Sequence, residues 1–390
     1  MKLSRRTALA QLLATAGAAA LLGMEANAEP SPPAPAPDTD RLTQLGMELT
    51  PDQRAAGEAF VEGFATVDVH CHPGRFFQKN LPYETPTTRF FGVPFEARAL
   101  ADLNAGHVSA ALFAGVSDMR LLELTPEGIH AVGAFGPGEA FADYLRQIAV
   151  LKQLVARHEA LPGLTPHDIR AAGRRQRTAA VFAVEGGDFI EDRIDRVHEA
   201  FRDGVRAITI VHYHVNQIGD IQTAPPVHNG LTPLGKTIVR ELNAAGILID
   251  LAHASFDVTR DAVELSTKPV MVSHTNLATP GVNHPRLITL EHARLVASAG
   301  GLIGSVPSGI GQTTFAEYVD SILRLIDAVD VEHVCIGTDM DANYKPIVRS
   351  YRDWSLIPAA LLAKGVEHAA VEKIMGGNFL RVFRAVLGRD

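Results

Sequence analysis

The sequence predicts an α/β protein folded as a (β/α)8 barrel of TIM type. Two observations carry this. Eight short apolar runs follow one another: Thr66–His72, Ser109–Val116, Ala179–Glu185, Arg206–His212, Ile247–His253, Pro269–His274, Gly301–Val306 and His333–Asp339. They are nearly continuous in Val, Ile, Ala and Leu, as strands covered on both faces by helices must be. Between them lie amphipathic segments with helical spacing, among them Ile190–Asp203, Thr237–Ala245, Thr289–Ala299 and Thr314–Ala328. Strand–helix alternation makes βα units, and eight of them close a barrel. Thr66 to Asp339 spans 274 residues, near the ~250 usual for that architecture. The alternative is an open doubly wound sheet, but no Gly-x-Gly-x-x-Gly follows the first run.

In chain order, residues 1–28 read as a signal peptide. Lys2, Arg5 and Arg6 precede an uncharged Ala/Leu/Gly run, and Ala26-Asn27-Ala28 is a cleavage site of the A-x-A kind. Ser4-Arg-Arg-Thr-Ala-Leu9 resembles a twin-arginine export signal, which predicts a periplasmic protein with no stable membrane span after cleavage. Residues 29–41 are a Pro-rich linker, with Ser31-Pro-Pro-Ala-Pro-Ala-Pro37 at its centre. Residues 42–390 make the single barrel domain. It opens with helix between Leu42 and Gly63 and ends on a closing helix from Val371 to Leu387.

Composition bounds the partners. The 390 residues are 46% hydrophobic and 21% charged, with a formal net charge of -8. Removing residues 1–28 takes away three bases (Lys2, Arg5, Arg6) and one acid (Glu25), leaving -10. No long basic cluster follows, which argues against nucleic acid. Cys71 and Cys335 are the two cysteines. Strand parity sends them to different faces, so both are expected to be free thiols.

The chemistry sits at the ends of the runs. Run one ends His70-x-His72, run three at Glu185, run four at His212, run five at His253, run six at His274 and run eight at Asp339. In a strand, alternate side chains share a face, so Asp68, His70 and His72 are expected to point the same way. In this barrel the C-terminal strand ends form one mouth. Six of eight strands delivering ionisable groups to one rim is hard to reconcile with packing, because buried ionisable groups need partners. His plus carboxylate suits Zn²⁺ or a similar divalent ion. There are ligands enough for two, with a carboxylate such as Glu185 able to bridge them.

Several longer pieces then resemble a known family. They are Val184-Glu-Gly-Gly187, Gly204-Val-Arg-Ala-Ile-Thr-Ile-Val-His212, Gly230-Leu-Thr-Pro-Leu-Gly-Lys236, Leu248-Ile-Asp-Leu-Ala-His-Ala-Ser255, Val272-Ser-His274, Asn283-His-Pro-Arg286, Ile336-Gly-Thr-Asp-Met-Asp341 and Gly376-Gly-Asn-Phe-Leu-Arg-Val-Phe383. In this order they resemble the membrane (renal) dipeptidase family of zinc peptidases, among the amidohydrolase-type barrels. The resemblance implies two Zn²⁺ per chain. One would be held by His70 and residue 72, the other by His253 and His274, with Glu185 between them. It further implies that Asp339 handles the proton of water and leaving group. His212 would stabilise the oxyanion and Arg286 bind the C-terminal carboxylate of a small dipeptide, as a homodimer. Members often accept a D-residue on that side.

One departure stands out: the family's first motif is usually His-x-Asp, and position 72 is His. Two other readings stay open at this stage. One is an amidohydrolase acting on a non-peptide amide, ester or lactam, for which Arg286 would be dispensable. The other is a metal- or ligand-binding homologue that lost turnover through His72.

Overall fold

The computed structural model describes residues 44–125, 128–157, 159–282 and 284–388. The expected signal peptide and the Pro-rich linker lie outside the described residues. All eight expected strands form: β1 Val67–Cys71, β2 Ala110–Val116, β3 Ala179–Glu185, β4 Val205–Thr209, β5 Leu248–Asp250, β6 Met271–Thr275, β7 Leu302–Ser305 and β8 Val334–Ile336. They follow one another round a parallel sheet in chain order. The ring closes from β8 back to β1 through the backbone. The Asp339 N–H donates to His70 O (2.8 Å) and the His72 N–H to Met340 O (2.9 Å).

Helices wrap this ring, as a parallel sheet requires. Four of them start on a Ser or Thr cap just after the mouth loops. Thr232 caps Pro233–Ala245, Ser255 caps Phe256–Leu265, Thr289 caps Leu290–Ser298 and Thr314 caps Phe315–Val329. Each side-chain oxygen accepts an otherwise unpaired N–H of the first turn, worth about 1 kcal/mol. The cap and N1 proline place the first of these helices four residues ahead of the expected Thr237 start. The expected helix Ile190–Asp203 is instead shortened to Asp195–Asp203. Glu191, at φ 51°, turns the chain out of helical geometry.

Side chains sort into two packed shells. Alternate residues Ala110, Leu112 and Ala114 of β2 fill the barrel with Val67, Val69, Val181, Ala183, Leu248, Met271, Leu302 and Cys335. Ala111 and Phe113 face the surrounding helices, as does Cys71. The two thiols therefore lie in different shells, both free and buried.

The floor of the barrel is apolar. Phe379, Leu380, Val382, Phe383 and Val386 of helix Asn378–Leu387 join the interior shell. The expected closing helix is interrupted: a π-turn at Lys373–Gly377 separates His368–Glu372 from it. There the chain presses on Ala65, two residues before β1. A Cβ at Gly376 would stand 2.3 Å from Ala65 O, so only glycine fits.

Candidate metal centre at the barrel mouth

Two strands carry a bulge that re-aims a histidine. Between β1 and β2 the pairing steps from Asp68–Ala111 to Cys71–Phe113, three residues against two. Between β6 and β7 it steps from Val272–Ile303 to Thr275–Ser305, again three against two. A bulge of this kind shifts side-chain parity and is common beside functional sites. In β1 it lets His70 follow the inward Val69 into the mouth. In β6 it does the same for His274 after Ser273.

The bulge corrects one expectation. Asp68 does not share a face with His70 and His72. Its Oδ2 accepts from Tyr351 Oη (2.7 Å) and Thr338 Oγ1 (2.5 Å), outside the ring. Its Oδ1 accepts the backbone N–H groups of His70 (3.1 Å) and Thr338 (3.0 Å). Asp68 thus pins the backbone at the seam. Asp250 makes the matching bonds at the other side of the site, taking the N–H groups of Ala252 (3.0 Å) and Ser273 (2.9 Å).

The remaining site residues stand at or beyond strand ends. Glu185 is the last residue of β3 and His72 the first after β1. His212, His253 and Asp339 lie in the loops, each three residues past β4, β5 and β8, so the expected runs overshoot the strands there. His253 (φ 65°) and Asp339 (φ 54°) adopt left-handed backbone, a strained conformation for such residues that is concentrated at functional sites.

All of these converge. Glu185 lies with one carboxylate oxygen or the other facing five imidazole Nε2 atoms. They are His253 at 3.1 Å, His70 and His212 at 3.4 Å, His72 at 3.5 Å and His274 at 3.6 Å. Asp339 Oδ1 is 3.3 Å from His72 Nε2 and 4.0 Å from His70 Nε2. The Nε2 atoms of His70 and His72 are 3.2 Å apart, those of His253 and His274 3.1 Å. Lone pairs that face each other at this distance call for a proton or a cation between them.

The other ring nitrogens are mostly anchored. His72 Nδ1 donates to Ala114 O (2.7 Å) and His212 Nδ1 meets Asp118 Oδ1 (2.6 Å). His70 and His274 both meet Ser273 Oγ. Anchoring Nδ1 leaves Nε2 of His70, His72 and His274 free to ligate a cation. His253 Nδ1 is buried without a partner.

Electrostatics split the cluster. Burial opposes charge on His70, but Glu185, then Asp339 and Asp250, override it and push the imidazole up to about 9. Burial likewise opposes charge on His212, and Asp118 and Glu185 raise it. Glu185 is held well below the usual carboxylate range: burial works against this, but His212 and His70 prevail. His253 and His274 go the other way, held well below the ordinary imidazole range by burial and then by Arg286, His212 and His70. They are neutral, with lone pairs ready for a cation. The donor set of imidazoles around one carboxylate fits a divalent ion such as zinc. The histidine at position 72 brings its Nε2 within 3.5 Å of Glu185 and 3.3 Å of Asp339.

Arg286 is buried in the loop after β6. Its Nη1 donates to Gln222 Oε1, and its Nη2 lies 3.5 Å from His274 O. Tyr213 packs its ring edge-on to His212 and His253. Asn216 donates to Ile210 O within its own loop and Asn276 to Val306 O just past β7, and His228 and His284 are exposed. Asp341 bonds to the Gly74 N–H (2.6 Å) and so holds the turn after His72.

Two carboxylates were not singled out by the sequence. Asp118 follows β2 by two residues and orients His212. Asp188, three residues past Glu185, meets His214 Nδ1 at 2.6 Å. Their position beyond strand ends was the available signal.

Fold and donor set define a (β/α)8 barrel whose mouth carries side chains able to hold a metal ion. The chain matches the membrane dipeptidase family (peptidase family M19) over residues 57–388 and belongs to that family. Dipeptidase verJ of Clonostachys rogersoniana is 28% identical over 257 residues, 64% of this chain and 66% of its own. Dipeptidase tcpJ of Claviceps purpurea (strain 20.1) is 32% identical over 230 residues, 56% of this chain and 53% of its own. The chain thus spans less than two thirds of these relatives. In fold it is similar to a metallopeptidase from Rhodobacter sphaeroides liganded with a phosphinate mimic of L-Ala-D-Ala. The TM-score is 0.69 at 18% identity, covering 83% of this chain and 99% of that one. No described helix is long and apolar enough to cross a membrane.

Proposed function

We propose that this protein is a zinc-dependent dipeptidase with two ions per chain, acting on dipeptides that include those with a C-terminal D-residue. The observation that carries the reading is the convergence of five imidazole Nε2 atoms on Glu185, within 3.1–3.6 Å, with Arg286 buried beside His274. Divalent ions held here would polarise a substrate carbonyl and acidify the attacking water.

The chain's own residues do the rest. Asp339 is partly open to solvent at the mouth, its side chain 21% exposed. It takes the proton of the attacking water and passes it to the leaving amine. His212, whose imidazole Asp118 and Glu185 push toward the protonated form against burial, donates from Nε2 to the developing oxyanion. Arg286 pairs with the dipeptide's terminal carboxylate, for which its planar fork is suited. Membership of the family, and relatives that carry the name dipeptidase, support the substrate class. The basic, apolar start of the chain supports export to the periplasm, and the family resemblance supports a homodimer.

A panel of L,L and L,D dipeptides on metal-analysed protein tests the reading. Cleavage of at least one class is expected, and no cleavage with two ions bound would sink it. Arg286→Ala should lower kcat/KM on dipeptides by about 10²–10³-fold, the cost of losing one partner of a buried charge pair. An unchanged kcat/KM would show that Arg286 does not hold the dipeptide's terminal carboxylate.

A further inference from the structure

Ser273 sits between the two histidine pairs and touches one member of each. Its Oγ is 3.2 Å from His70 Nδ1 and 2.9 Å from His274 Nδ1. The two rings lie close and tilted, centroids 4.1 Å apart and planes 35° from parallel. Ser273 is fully buried, and among the described residues its hydroxyl has no third partner.

The barrel is built to let this residue in. A Cβ at Gly304 of β7 would stand 1.8 Å from Ser273 O, and one at Gly337, just past β8, 1.9 Å from it. No side chain other than hydrogen fits at either position. Two neighbouring strands thus leave space into which β6 presses at its bulge. That places the hydroxyl far enough across the interior to reach a histidine of β1, a strand that is not a sheet neighbour of β6.

A hydroxyl oxygen has two lone pairs and can accept two hydrogen bonds. An imidazole that ligates through Nε2 carries its proton on Nδ1 and needs an acceptor there. We propose that Ser273 is a positioning residue shared by both halves of the metal centre, one oxygen holding the Nδ1–H of His70 and of His274. Single acceptors serve the other anchored histidines: Ala114 O for His72 and Asp118 for His212. Ser273 is therefore the point through which one small substitution reaches both ions.

This inference rests on the two-ion reading of the site, and the experiment separates the two. Ion-free wild type, Ser273→Ala and Ser273→Thr are titrated with Zn²⁺ by calorimetry, with thermal unfolding of each ion-free protein as a control. The alanine variant should bind both ions more weakly, each by about 10–100-fold, the usual cost of removing a partner behind a ligating histidine. Its ion-free unfolding temperature should stay near that of wild type. Threonine keeps the hydroxyl and should restore most of the affinity. Weakening of one ion alone, of neither, or to the same degree in the threonine variant overturns the shared role. Wild type that takes up no divalent ion overturns the metal reading itself.

Discussion

The two ends of the barrel are made from the same eight strands and could hardly differ more. At the floor, Phe379, Phe383 and their neighbours on the last helix fill the ring with hydrocarbon. At the mouth, the same strands deliver five histidines and a glutamate to one buried point. The floor carries packing that any well-fitted apolar side chain satisfies. The mouth carries groups whose burial costs free energy unless each finds a partner. The contrast teaches where stability and chemistry reside: the fold tolerates a costly mouth because the floor and the outer shell stabilise it.

That contrast can be broken by substitution. Asp339→Asn should lower kcat by about 10²–10⁴-fold, the usual contribution of a positioned acid–base group, while thermal unfolding moves little. Steady-state kinetics beside a melting curve decides it; loss of fold instead of turnover would erase the distinction. Phe383→Ala should do the reverse. Removing a fully buried ring costs about 3–5 kcal/mol of stability, with kcat/KM per folded molecule unchanged. Denaturant unfolding combined with active-site counting would reveal a coupling between floor and mouth if kcat/KM falls as well.

A smaller effect sharpens the picture within the mouth. His70 is pushed up to about 9, so below that pH it holds a proton that must leave before Nε2 can ligate. His253 and His274 are held far below the neutral range and have none to lose. Ion affinity on the His70 side should therefore fall by up to tenfold for each pH unit below about 9. Uptake near pH 7.5 should release a proton, measurable by calorimetry in buffers of differing ionisation enthalpy. A pH-independent affinity between 7 and 9 would refute the assignment.

Most of the barrel was legible because hydrophobic periodicity is local. All eight runs became strands, and the ionisable residues at their ends do meet. What the sequence hid was set by distant contacts. Strand parity put Asp68 beside His70, but the bulge in β1, defined by pairing with β2, re-aimed His70 inward and left Asp68 on the outer face. Runs four, five and eight were drawn too long because His212, His253 and Asp339 follow apolar residues without belonging to the sheet. Asp118 is 94 residues from the histidine it orients, and Ser273 is 203 from His70. Nothing in either one's neighbourhood announces such a partner. Position 72, where the family motif departs, is spatially ordinary: its ring ends beside Glu185 and Asp339, as that of His70 does.

The bonds that shut the ring join His70 O to Asp339 N and His72 N to Met340 O. The last joint of the cylinder is thus made by the very residues that face the ligand. Whatever bridges His70, His72 and Asp339 acts as a buckle across that joint. Binding free energy then serves as hoop tension, and a loaded barrel resists opening at that joint more than an empty one does.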